Sequence, residues 1–142
     1  MADGAGGKPG YAELDGCQDP ADPTGKKRIK VFVSRSDLLS RYQHVRSQGF
    51  DLITAHGVLK SPERIYEGIR KDLSGWCYAG IPANREARAG VSLPLPPGFV
   101  FCAYVNPRGV LFDWRLEKTT LASLDASVGA GKRFRRIAWR KI

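Results

Sequence analysis

The strongest constraint on this fold is the segment 99–118, whose sequence FVFCAYVNPRGVLFDWRLEK predicts a β-hairpin. Asn106 and Gly109 take the first and fourth positions of a turn, which suits type I geometry. Pairing outward from that turn places Ala103 opposite Phe112 and makes one face of the hairpin entirely apolar. That face must be covered by other parts of the chain. The same register predicts the pairs Val105–Val110, Phe101–Trp114 and Phe99–Leu116.

Charge is divided unevenly along the chain. The formal net charge is +9, yet residues 1–24 hold five acidic side chains and one lysine. Residues 25–142 therefore hold 22 basic and 9 acidic side chains. A body this basic is expected to attract polyanions, and RNA is the partner that we favour. An acidic partner protein, an anionic membrane surface, or no such partner at all are the alternatives.

The cysteine and histidine content argues against a metal site. Cys17, Cys77 and Cys102 form no CxxC pair, and with two histidines there is no zinc spacing. No P-loop or dinucleotide fingerprint is present, so we expect neither a metal nor another cofactor. Unpaired thiols suit a reducing compartment. With no secretion signal and no apolar run near the about 20 residues of a membrane span, the sequence predicts a cytoplasmic protein without a transmembrane segment.

The chain is expected to form a single α+β domain over 26–142, preceded by a disordered acidic tail over 1–25. The predicted architecture is two N-terminal helices packed on one face of an antiparallel sheet of about four strands. A long loop at 82–98 and a basic segment at 132–142 complete it. Periodicity predicts, in chain order, a strand at 28–33, helices at 38–49 and 50–59, strands at 65–71 and 76–81, and a hairpin at 99–118.

The uncovered face of the predicted sheet is the first candidate site. Aromatic rings stack on bases and guanidinium groups bind phosphates, which is the chemistry of single-stranded RNA recognition. The alternative is a strand phase shifted by one residue, in which Trp76 and Tyr78 fill the core. Asp113 is expected to form an ion pair with Arg115. The side chains predicted to face outward are Tyr66, Arg70, Trp76, Tyr78, Tyr104, Asp113 and Arg115.

The basic C-terminal segment is the second candidate. Its sequence KRFRRIAWRKI interleaves aromatic residues with Arg133, Arg135 and Arg136, which suits phosphate contact together with stacking. The same pattern suits a membrane surface or an acidic protein. In the alternative without a ligand, the segment docks on the domain through its apolar side chains as a closing strand or helix.

His44 is the candidate general base. It follows Arg41 by one turn on the polar face of the first predicted helix, and a histidine beside arginines can move a proton near neutral pH. The alternative is that His44 is a surface histidine without a catalytic role. His56 lies in an apolar segment and is expected to be a satisfied core residue.

The order of the predicted elements and the residue types within 38–118 resemble those of the barnase–EndoU–colicin–RelE superfamily of small ribonuclease domains. The shared features are a histidine-bearing helix pair, the junction VLKSPERIYEG, the aromatic strand GWCYAG and a hairpin that ends in a charged strand. The proline-rich loop, the first strand and the basic tail depart from that pattern. The resemblance implies a toxin-type, metal-independent endoribonuclease that cuts RNA in the cytosol. The site residues that it implies are His44, Arg64, Tyr66, Tyr78, Arg115 and Thr119.

Two functions follow from these observations. In the first, the protein is directed to RNA, His44 or Tyr66 acts as the base, and cationic side chains stabilise the phosphate, namely Arg64, Arg70 and Arg115. In the alternative, it is a non-enzymatic interaction module, of immunity or adaptor type, whose basic surface meets an acidic protein.

Overall fold

The computed structural model describes residues 9–22, 24–38, 52–68, 75–81, 98–129, 133–134 and 137–141. Its elements in chain order are β1 (Tyr11–Gln18), β2 (Arg28–Ser34), α1 (Leu52–Lys60), β3 (Arg64–Gly68), β4 (Trp76–Gly80), β5 (Val100–Val105), β6 (Leu111–Glu117), α2 (Leu121–Gly129), β7 (Arg133–Phe134) and β8 (Ile137–Lys141). The strands form a β1–β2 hairpin and a six-stranded sheet in the order β6-β5-β4-β3-β8-β7. No helix in these ranges is long and apolar enough to cross a membrane.

The predicted architecture is wrong. The described residues are mostly strand, and they show two antiparallel sheets rather than two N-terminal helices packed on one sheet of about four strands. The short helix expected within 50–59 is α1, but the rest of the predicted first helix beyond residue 38 lies outside the described residues, as does most of the loop at 82–98. The physical reason is that both chain ends contribute strands: β1 pairs with β2, and β8 pairs with β3.

Strand β1 lies inside the acidic segment for which composition predicts disorder, so that prediction is corrected for residues 11–18. Gly16 has a φ of 74°, and the β1–β2 register shifts between Leu14 and Cys17. This bulge lets both Leu14 and Cys17 enter the core although they are three residues apart. The alternation that marks a strand is therefore absent from the sequence of β1.

One face of the six-stranded sheet, here called face A, carries the larger core. Ile65, Tyr78, Ala103 and Trp114 lie opposite one another across β3, β4, β5 and β6. The β1–β2 hairpin and α1 cover this row with apolar side chains, including Leu14, Val31, Val33, Ala55, Val58 and Leu59. His56 of α1 is half-buried rather than part of the core. Its ring is satisfied as expected, since its Nε2 lies 2.6 Å from the carbonyl oxygen of Asp15 in β1.

The opposite face, here called face B, carries a smaller core beneath α2. Tyr66, Cys77 and Tyr104 share one row of this face. Leu124 of α2 packs on the row, with Leu121 partly buried beside it. The first turn of α2 is capped at Thr120, whose Oγ1 accepts a hydrogen bond of 3.1 Å from the Ser123 N–H. Both faces of the central strands are thus covered.

The β5–β6 hairpin forms where it was predicted, with a different register. Gly109 has a φ of 82° and its N–H donates to the Asn106 carbonyl oxygen at 2.9 Å, as the predicted turn requires. Ala103 faces Trp114 rather than Phe112, however, because the register shifts beyond Tyr104. The other predicted pairs are corrected in the same way: Val105 faces Leu111 rather than Val110. Phe101 faces Leu116, so neither the Phe101–Trp114 pair nor the Phe99–Leu116 pair forms.

Candidate nucleic-acid interface

Face B brings together four of the residues that the sequence nominates for RNA. Tyr66 and Tyr104 lie in one row, in register through Cys77 of the strand between them. Arg64 and Arg115 lie in the neighbouring row, joined through the β4 and β5 positions. Of the side chains predicted to share the uncovered face, Tyr66, Tyr104, Asp113 and Arg115 therefore lie on face B. Its two tyrosines are nevertheless buried instead of facing solvent, in a cluster that includes Leu124 of α2.

Trp76 and Tyr78 lie on the other face, so their predicted orientation is wrong. Both pack with the face A core, and Tyr78 is fully buried there. The Tyr78 hydroxyl donates a hydrogen bond of 2.7 Å to the carbonyl oxygen of Gln18, and burial raises its pKa. The strand phase is thus the alternative one, because the β1–β2 hairpin and α1 offer an apolar surface that these rings fill.

Arg64 and Tyr66 both engage a carboxylate from α2. Arg64 Nε donates to Asp125 Oδ2 at 2.9 Å, and the Tyr66 hydroxyl donates to Asp125 Oδ1 at 2.7 Å. Burial raises the pKa of Tyr66, and the hydrogen bond to Asp125 raises it further. A phenol that is buried, protonated and already donating cannot accept a proton from a substrate. Tyr66 therefore does not supply the general base in this conformation.

Tyr104 is held in a comparable way. Its side chain is buried and its hydroxyl donates to Glu117 Oε2 at 2.9 Å. Burial is the main cause that raises its pKa, and it does the same for the neighbouring Cys77 thiol. The centre of face B consequently offers hydrogen bonds and packing in this state, but no activated nucleophile or base.

Phe112 is the residue that sequence reasoning misses. The apolar pattern assigns it to the core, yet its side chain is 41% exposed, because the bulge opposite Tyr104 and Val105 releases it from the face A row. Its ring centroid lies 6.4 Å from that of Tyr104, with the planes inclined at 44°. Sequence reasoning misses Phe112 because the bulge is a property of the β5–β6 register, in which β6 holds one residue more than a regular ladder would pair.

Exposed cations lie on the same strand as Phe112. Arg115 is 49% exposed and its Nε lies 3.7 Å from Asp113 Oδ2, which confirms the predicted ion pair. Lys118 follows the strand end and is exposed. Thr119 comes next, and its N–H donates to the Glu117 carbonyl oxygen at 3.0 Å. We call Phe112, Arg115 and Lys118 together the β6 surface.

The other nominated residues add little to this geometry. Arg133 begins β7 opposite Ala138, so residues 133–134 and 137–141 of the basic C-terminal segment lie in the sheet as closing strands. The remaining nominated residues lie outside the described residues, namely His44, Arg70, Arg135 and Arg136.

A metal site requires a group of donor side chains that lie close together. Among the described residues no cluster of three or more His, Cys, Asp or Glu side chains is placed to hold a metal ion. No protein family, no curated protein and no solved structure matches this chain.

Proposed function

We propose that this protein binds single-stranded RNA through the β6 surface. The observation that carries the proposal is the exposed ring of Phe112 on the same edge strand as the exposed guanidinium of Arg115. Three residues of extended strand separate them by about 10 Å, which suits one ring stacked on a base while the cation binds a neighbouring phosphate. The basic body of the chain supplies long-range attraction for such a polyanion.

The Arg115–Asp113 pair leaves room for a phosphate. A separation of 3.7 Å between Nε and Oδ2 is longer than a hydrogen bond, and half of the Arg115 side chain is in water. The Asp113 side chain is only 10% exposed, so a phosphate would approach the Arg115 guanidinium from its solvent side. Lys118 adds a second cation one short step along the same edge.

The exposed ring also favours RNA over an acidic partner protein. Carboxylates of an acidic peptide would engage Arg115 and Lys118 but would have no use for an aromatic face at Phe112. Bases, in contrast, stack on aromatic side chains with about 1–3 kcal/mol per base. Binding to RNA and binding to an acidic protein therefore differ in their dependence on Phe112.

RNA cleavage of the toxin type is the finer part of the proposal. The junction VLKSPERIYEG, the strand GWCYAG and the charged end of the hairpin, which resemble the barnase–EndoU–colicin–RelE superfamily, are its support, whereas the expected helix pair is not. Three free, buried thiols fit the reducing cytoplasm in which we propose that the protein acts. Since Tyr66 and Tyr104 both donate to carboxylates, the base for attack by a 2′-hydroxyl falls to His44.

Binding is tested by fluorescence anisotropy with labelled single-stranded RNA of mixed sequence at low salt. Phe112→Ala is expected to weaken binding about 10-fold, whereas Phe112→Tyr keeps the ring and the affinity. Ile81→Ala is the matched control, because Ile81 is the other large apolar side chain exposed in the described chain, at 53%, and lies beyond the end of β4. Equal affinities of Phe112→Ala and the wild type contradict the proposal.

Cleavage is tested separately by incubation of the protein with total RNA in EDTA. We expect fragmentation that His44→Ala abolishes while binding persists. Intact RNA at high protein concentration, with binding retained, leaves an RNA-binding protein and removes the endoribonuclease.

A further inference from the structure

We propose that α2 is a lid over face B, which opens while the rest of the protein stays folded and lengthens the RNA-binding surface. This inference rests on the proposed function, because RNA is the ligand that the open face would take. It concerns a part of the molecule that the β6 surface does not include: Tyr66, Tyr104 and Arg64, which lie beneath or beside the helix.

The packing of α2 on the Tyr66 row is thin. The helix has nine residues, and a helix of that length is marginal without tertiary contacts. Leu124 is its one side chain, among residues 121–127, that is fully buried, and Leu121 is only partly covered. Ala122, Ser123 and Ala126 face solvent. Face A, in contrast, is covered by two strands and a helix with many buried side chains. Local opening is expected where buried apolar contact is least.

The polar contacts of α2 can be exchanged for others. Asp125 holds Arg64 and Tyr66 at the edge of the helix, where the Arg64 and Asp125 side chains are 33% and 24% exposed. When the helix moves away, water solvates the carboxylate, and a phosphate can take its place on the Arg64 guanidinium. The contact of Asp125 with Arg64 and Tyr66 therefore stabilises the closed position of α2 in the free protein and still allows the helix to open.

The surface under α2 continues the exposed one. Phe112 lies against Tyr104, and Tyr104 lies in register with Tyr66 two strands away. Neighbouring strands are about 4.8 Å apart, so the three rings would span several nucleotides. Helix α2 lies mainly against β7 and β8, and it reaches the Tyr66 row through Leu124 and Asp125. Strand β8 stays paired with β3 when the helix opens, so the sheet remains anchored on that side. RNA that reaches past Phe112 would select the open state, and the closed state lowers its apparent affinity.

The three cysteines report lid opening without any added label. Cys77 and Cys102 are buried in the face B core under α2, whereas Cys17 is buried in the face A core. Opening of α2 alone exposes the first two thiols to a thiol reagent and leaves Cys17 protected. Unfolding of the whole protein exposes all three together. Mass spectrometry of the modified peptides separates the two processes.

The labelling experiment uses the full chain and two variants that leave its charge unchanged. Leu124→Ala removes the buried side chain of the lid and is expected to accelerate modification of Cys77 and Cys102 about 10- to 100-fold over Cys17. Tyr66→Phe keeps the ring, removes the hydrogen bond to Asp125, and is expected to accelerate it severalfold. If all three cysteines react at one common rate in the wild type and in both variants, the lid does not exist.

RNA then tests the role of the lid. Saturating single-stranded RNA is expected to accelerate modification of Cys77 and Cys102, and Leu124→Ala is expected to bind a long RNA severalfold more tightly than the wild type. Binding that depends on Phe112 but leaves the labelling and the Leu124→Ala affinity unchanged overturns the lid and keeps the proposed function. Absence of any RNA binding overturns both, even where the labelling shows that α2 opens.

Discussion

The Tyr66 hydroxyl donates a hydrogen bond of 2.7 Å to Asp125 Oδ1, and this contact joins strand β3 to helix α2. Tyr66 is fully buried, so its hydroxyl has no access to water as an alternative acceptor. The same carboxylate receives the Arg64 guanidinium at 2.9 Å. Asp125 thus holds both Arg64 and Tyr66, two residues nominated for catalysis, in contacts within the protein.

Removal of the Asp125 carboxylate is expected to destabilise the protein. Asp125→Ala leaves the buried Tyr66 hydroxyl without this acceptor, which should lower the free energy of unfolding by about 1–3 kcal/mol in urea titrations. Asp15→Ala is the control, since its carboxylate is 74% exposed and lies 3.9 Å from Lys30. An effect at Asp125 no larger than that at Asp15, expected within about 0.5 kcal/mol, contradicts the role of the contact.

Stability is expected to fall at alkaline pH. Burial raises the pKa of the Cys17 thiol from 9.0 to about 11, and burial also raises the pKa values of Tyr66, Tyr78 and Tyr104. Above pH 9 the unfolded chain loses these protons first, so it binds fewer protons than the folded state and the free energy of unfolding decreases with pH. The stabilisation is complete below the unfolded pKa values and is lost as pH rises through the folded ones.

Urea titrations at about pH 8 and about pH 10 measure this dependence. Cys17→Ala removes one of the shifted groups and is expected to flatten the alkaline slope, although it lowers stability at both pH values by leaving a small cavity. An alkaline slope that is the same in Cys17→Ala and in the wild type shows that the thiol ionises equally in both states.

Two glycines of the sheet allow a matched test of backbone geometry. Gly75 has a φ of 139° and Gly109 a φ of 82°, so alanine is strained at both. A Cβ at Gly75 would clash with the Val105 carbonyl oxygen, whereas a Cβ at Gly109 meets nothing within 4 Å. We expect a loss of about 1 kcal/mol for Gly109→Ala and on the order of 3 kcal/mol or more for Gly75→Ala, measured by thermal or urea unfolding. Equal losses would show that β4 and β5 adjust freely at that point.

Local patterns predict the elements of this fold better than their arrangement. The turn at Asn106–Gly109, the strand with Val31 and Val33 inward, and the short helix before β3 all follow from residue type and spacing. Alternation also groups residues of one strand on a common face, as it does for Arg64 with Tyr66 and for Asp113 with Arg115. It cannot say which face meets the solvent, because that depends on which distant segments pack there.

The missed features share one physical cause. The bulge at Gly16 and the bulge that releases Phe112 each add one residue to a strand, and an added residue reverses the side-chain alternation beyond it. Helix α2 is similarly hard to see, since its sequence LASLDASVG carries few apolar anchors and gains its stability from Leu124 and Asp125 against the sheet. Each miss therefore concerns pairing or packing between two segments, which the residue pattern of one segment does not specify.

The salt dependence of RNA binding is expected to separate the roles of cation and ring. Each phosphate contact to a single strand contributes about 0.7 to the slope of log affinity against log salt concentration. Arg115→Gln and Lys118→Gln should each reduce that slope by about this amount and weaken binding similarly for all sequences. Phe112→Ala should lower affinity at every salt concentration with an unchanged slope, because stacking releases no counterions. Lys60→Gln on the opposite side of the sheet is the control, since Lys60 ends α1 on face A. If Lys60→Gln changes the slope as much as Arg115→Gln does, the protein attracts RNA through its overall charge and the β6 surface has no special part in binding.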